Sequence, residues 1–115
     1  MNYKLLAIIL IFVGEAVAIL AEMIAARQYG NNRPLLQLFL KMFLMFAVGG
    51  GFLVAGYMLG YKSFQNIWTV SVISITSILV IEPVLAYAVF QQLPTRGALI
   101  GLIFGVLGFT AAVFI

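Results

Sequence analysis

Three carboxylates, Glu15, Glu22 and Glu82, are all the acid this sequence has, and each interrupts a long apolar run. Histidine and cysteine are absent. Without them there is no imidazole base, no thiolate ligand and no disulfide, so proton chemistry near neutral pH falls to carboxyl groups. A carboxyl group held out of water resists ionisation, which suits it to trading a proton for a cation. Near the middle of a bilayer such a group costs on the order of 2.5–3.5 kcal/mol by insertion scales.

Glu15 stands near the centre of the first apolar run, with no base near it in sequence. Exchange of a proton for a cation is the role expected of it, against the plainer alternative of a neutral carboxyl hydrogen-bonded within a bundle. Glu22 follows seven residues later, within about 20° of the same helix face and about 10 Å along the axis. Gly14, Ala18, Ala21 and Ala25 surround the pair with small side chains, a face that belongs against other helices or a wet cavity. Arg27 comes five residues after Glu22, so an interfacial position with a local ion pair competes with a binding role there. Glu82 precedes Pro83. Proline removes one backbone hydrogen bond and bends a helix, so this carboxylate either lines a pathway beside the bend or bonds the freed backbone groups.

Hydroxyls gather in the same region as Glu82: Thr69, Ser71, Ser74, Thr76 and Ser77. Ser71, Ser74 and Ser77 recur every three residues and could face a hydrated cleft. Alternatively each hydroxyl satisfies its own i−4 carbonyl and permits tight packing. Trp68 reads either as an interfacial belt residue or as a ring flanking a cation site.

These residues must be positioned by helices that cross a membrane. The chain of 115 residues is 65% apolar and only 8% charged, against about 25% charged in a soluble domain. A hydrocarbon core about 30 Å thick needs roughly 20 helical residues. Four runs reach that length, at about 5–26, 35–61, 63–91 and 97–115, in one domain spanning 1–115 with Gln28–Pro34 as the first loop. The runs are too long, and alternate too little, for a membrane β-barrel. The expected fold is therefore an all-α bundle of four transmembrane helices.

The six basic residues are scattered near the ends of the runs, as interfacial anchors are, and form no nucleic-acid footprint. Arg27, Arg33 and Arg96 weakly favour loops one and three in the cytoplasm. Glu15 and Glu22 interrupt the first run, and it is too long for a cleaved signal peptide. No GxxxxGK loop is present, so ATP hydrolysis is excluded, and neither an enzymatic activity nor a metal or cofactor is expected. Glycine is spaced for close helix contact. Gly97, Gly101, Gly105 and Gly108 form a seam in the fourth helix, read as a dimer contact, and Gly56 with Gly60 forms a pair in the second, after Gly49-Gly50-Gly51.

With a carboxylate at mid-depth in the first of four helices, the chain resembles the small multidrug resistance family of the drug/metabolite transporter superfamily. Glu15 followed by Arg33-Pro34 is similar to that family's first-helix Glu and the loop after it. The segments Glu82-Pro83-Val84-Leu85-Ala86-Tyr87 and Gln91-Gln92-Leu93-Pro94-Thr95, with Gly101, look like its proline, its short turn and the glycine of its last helix. Departures are visible. Aligned through the Pro94 turn, Trp68 falls where the family usually has Tyr and Ser71 where it usually has Trp. Gln91-Gln92 replaces a turn that commonly carries Glu, and Glu22 and Glu82 are additional.

The resemblance implies a dimer of four-helix subunits in a prokaryotic inner membrane, often antiparallel, whose paired glutamates take protons or a cationic substrate in turn as a coupled system. The expectation is proton-coupled export of a small organic cation, with Glu15, Glu22, Glu82, Trp68, Ser71 and Ser74 as candidate substrate- or proton-binding residues. The alternatives are a flippase or metabolite-transporter subunit for a lipid-linked or uncharged solute, as homodimer or heterodimer with a related subunit, and an accessory subunit that transports nothing.

Overall fold

The computed structural model describes residues 3–115 as four helices: α1 (Tyr3–Gly30), α2 (Leu35–Phe64), α3 (Ile67–Phe90) and α4 (Arg96–Phe114). No strand occurs among the described residues. All four helices are long and apolar enough to cross a membrane, so the chain is an all-α, four-span integral membrane protein. Its exposed surface is rich in Leu, Ile, Val and Phe. On a water-soluble monomer such a surface would invite aggregation, whereas in a bilayer it meets lipid.

The helix ends differ from the expected bounds for local reasons. The first helix runs on to Gly30, because Asn31 still donates its N–H to the Arg27 carbonyl at 3.2 Å and nothing in Gln28-Tyr29 breaks the ladder. The loop expected from Gln28 is therefore four residues, 31–34, and turns at Asn32 with φ 65°. Ser63 and Phe64 belong to α2 rather than to the third helix, and Lys62, expected between the two, is also in α2. Gln65 adopts a left-handed conformation with φ 55° and closes α2 through its N–H to the Tyr61 carbonyl at 2.8 Å. Asn66 then opens α3: its side-chain oxygen accepts from the N–H groups of Trp68 (2.9 Å) and Thr69 (3.4 Å). Gln91 lies outside α3 as its left-handed cap, and Thr95 caps α4 by accepting from the Ala98 N–H at 3.1 Å. Pro83 lies within α3 without ending it.

The strongest contact joins α1 to α2 through small residues. Ala7, Ile11, Gly14, Ala18 and Ala21 are buried on α1 at spacings of four and three, the seam of a close left-handed crossing. Gly49 and Gly56 meet it from α2: a Cβ on Gly49 would lie 2.9 Å from the Ala18 backbone nitrogen, and one on Gly56 would lie 2.7 Å from the Ile11 side chain, whereas one on Gly60 would first meet Val70 of α3 at 3.1 Å. Gly50 and Gly51 face open space. On its other side α1 packs on α3, where Ile11 and Val70 are the largest side chains fully buried. Among the described residues α4 touches only α3, and none of its residues is buried. The result is a slab with extents of 46 × 33 × 18 Å, a three-helix unit with a fourth helix at its border.

Candidate functional site

Glu15 lies within two residues of the midpoint of α1, where the helix turns its small side chains to α2 and the carboxylate to α3. It is 9% exposed. Ser74, 6% exposed, donates its hydroxyl to Glu15 Oε1 at 2.7 Å, an ordinary length for an O–H···O bond. The second oxygen, Oε2, accepts no hydrogen bond, yet no fully enclosed side-chain oxygen or nitrogen lacks a partner among the described residues. Oε2 is therefore reachable from the surface. One oxygen is anchored and the other is open to a proton or a ligand. A carboxylate offers about four acceptor positions, so a single serine leaves most of that capacity unused.

The serine stripe divides by partner. Ser77 donates to the Ile73 carbonyl at 2.9 Å and Thr76 to the Val72 carbonyl at 2.6 Å, the self-satisfied arrangement. Ser71 is half-buried. Only Ser74 of the three serines reaches across to another helix.

Trp68 is 76% exposed at the start of α3 and lines a cleft of about 670 Å³ walled by Ile8 and Phe12 of α1, Ser77 of α3 and Phe109 of α4. Phe12 is one turn before Glu15 and on its side of the helix. The cleft thus runs from Trp68 towards the carboxylate without including it. Ile8, Phe12 and Phe109 were not singled out from the sequence. Phe12 was detectable there from its spacing to Glu15, whereas Phe109 needed the docking of α4.

Glu22 and Glu82 are not brought to Glu15. Glu22 is exposed and borders a small cavity of about 160 Å³ with Ala21, Ala25, Phe39, Met42, Phe43 and Phe46. Arg27 lies about 140° around the helix from Glu22, so the two side chains leave from different faces. Glu82 is exposed between α3 and α4, roughly 12 Å along α3 from Ser74. It does not bond the backbone groups freed by Pro83, and it has no hydrogen-bond partner among the described residues.

Three of the four fourth-helix glycines border α3 of their own chain. Gly101, Gly105 and Gly108 line clefts shared with α3, but only Gly105 is packed, with a Cβ there meeting Leu79 at 2.9 Å. Gly97, Gly101 and Gly108 have nothing within 4 Å of such an atom. The seam therefore faces α3 of its own chain across a gap, and Leu99, Ile103, Val106 and Leu107 form the outward face.

No three His, Cys, Asp or Glu residues gather as metal ligands among the described residues. No protein-family model, curated protein or solved structure matches the chain.

Proposed function

We propose that the chain is a membrane transporter subunit that exchanges protons for a small organic cation at Glu15. The observation that carries this reading is the mid-helix carboxylate itself: buried, anchored through Oε1 by Ser74 and open at Oε2. A purely structural carboxyl gains from having every acceptor position filled. This one has a single protein donor, and a proton or an ammonium group fills the vacancy equally well. Trp68 and Phe12 supply aromatic faces along the adjoining cleft, where a cation gains from the ring quadrupole. Ser74 is the positioning residue.

The working unit is a dimer in a prokaryotic inner membrane, as the family resemblance implies. A slab 18 Å thick is too thin to surround a solute path and also seal it from lipid, and a second copy supplies the missing wall. The outward face of α4 is the contact we assign to it. An accessory subunit that transports nothing is the second reading, favoured by the absence of any buried residue in α4.

The test is proton release from purified protein in weakly buffered detergent on addition of guanidinium, quaternary ammonium and polyamine compounds, with Glu15→Gln as control. Release that vanishes in the variant supports exchange at Glu15. A folded dimer that releases no protons with any compound rejects it. Copurification of a larger protein, with loss of fold on stripping it away, selects the accessory reading.

A further inference from the structure

Between the second half of α3 and the first half of α4 lies an open cleft of about 500 Å³, within the range of small-ligand sites. Glu82 is its only charged lining residue, and the walls are otherwise mostly apolar, including Leu79, Pro83, Tyr87 and Gly101. Two hydrogen-bond acceptors lie one turn apart on α3 where it borders the cleft. Glu82 has no partner among the described residues. One turn earlier, the Leu79 carbonyl has lost its helical donor, because Pro83 has no N–H to give. Gln92 at the cleft's end brings an amide with both an oxygen acceptor and N–H donors. Glu82 sits eight residues, about 12 Å, inside the end of α3, too deep for its short side chain to return to the surface.

The geometry points to a binding site for an amphiphilic primary ammonium drawn from the surrounding leaflet. Its three N–H donors match the Glu82 carboxylate and the unclaimed Leu79 carbonyl, and its hydrocarbon chain lies between α3 and α4 against Gly101. A cationic head is preferred over a plain hydrocarbon, because it meets the Glu82 carboxylate where an alkane offers nothing to it. A lone apolar tail fits because the open glycine face leaves room where a larger side chain would fill the cleft. Glu15 does not line this cleft, so the assignment does not depend on exchange at Glu15.

The experiment is photolabelling of the full chain in phosphatidylcholine nanodiscs with a long-chain primary amine carrying a diazirine in its tail, mapped by peptide mass spectrometry. Labelling should concentrate on the α3–α4 segment around Tyr87 and Leu93. It should fall about tenfold or more in Glu82→Gln, since a charge-assisted hydrogen bond is lost, and persist in Glu15→Gln. Gly101→Leu fills the cleft from a position where a Cβ meets nothing within 4 Å, so it should abolish labelling in a folded chain. The matching alcohol should not label the segment. Equal labelling by the alcohol, or labelling unchanged in Glu82→Gln, overturns the assignment. Loss of labelling when phosphatidylethanolamine replaces phosphatidylcholine is competition by a lipid carrying the same primary ammonium; it supports the assignment and names the lipid headgroup as the ligand's source. Loss in Glu15→Gln but not in Glu82→Gln places the amine at Glu15.

Discussion

Gly14 and Gly49 face each other where α1 crosses α2, so closely that a Cβ on either would lie 2.9 Å from the other's carbonyl oxygen. This crossing is one residue from Glu15. The backbone of α2 therefore fixes the position of the carboxylate, and α3 supplies only the hydrogen bond.

Substitution at this crossing should act on stability. Gly14→Val or Gly49→Val forces two backbones apart, and overpacking typically costs about 1–3 kcal/mol. Gly50→Ala meets open space, and a helical Gly→Ala change is expected to gain up to about 1 kcal/mol. Unfolding by increasing sodium dodecyl sulfate, followed by circular dichroism, measures both. Equal effects at Gly49 and Gly50 would show that the crossing is not a close one.

Ser74 and Ser77 should separate in the same assay. Ser74→Ala leaves buried Glu15 Oε1 without its donor, at about 1–3 kcal/mol. Ser77→Ala removes only a bond to its own helix and should cost under about 0.5 kcal/mol. Glu15→Gln keeps an acceptor for Ser74, so it should fold normally while losing cation exchange. A double-mutant cycle over Glu15 and Ser74 isolates the pair.

Cation affinity should rise with pH. A proton and a cation compete for the same carboxylate, so acid favours the protonated, cation-free state and base the cation-bound one. Equilibrium dialysis of tetraphenylphosphonium across a pH series reads the effect, and Glu15→Gln should remove the pH dependence. Affinity that climbs as the pH falls would place binding elsewhere.

The absence of cysteine makes cross-linking a clean probe of α4. Single substitutions Ile103→Cys and Leu107→Cys on the outward face should form disulfide-linked dimers in the membrane under mild oxidation. Gly105→Cys, set against Leu79, should not. The reverse pattern would return the glycine seam to the dimer contact.

The four spans and the depth of Glu15 were legible because length and apolar runs respond to bilayer thickness, which is the same for every sequence. Helix ends were less so. Lys62-Ser63-Phe64 carry no signal that places them in α2, and the boundary is decided by Asn66, whose side chain caps α3. Nor could spacing choose among Ser71, Ser74 and Ser77, since the stripe is one pattern and only the packing of α1 on α3 selects Ser74. The glycine seams were readable as close contacts in general. Which neighbour each meets, α1 for Gly49 and Gly56, Val70 of α3 for Gly60 and a gap before α3 for Gly101 and Gly108, is a property of the assembled helices.

The unequal packing of the four helices also orders their biogenesis. Because α1 and α2 interlock backbone to backbone, the two can pack as a helical hairpin without waiting for the helices that follow. The translocon can then release that hairpin early, before α3 closes over Glu15. α4 follows α3 out of the ribosome and has no buried residue against the other three helices. An orphan copy would therefore present α4 first to a membrane-embedded quality-control protease, so the level of protein retained in a cell would follow the supply of whatever covers that helix.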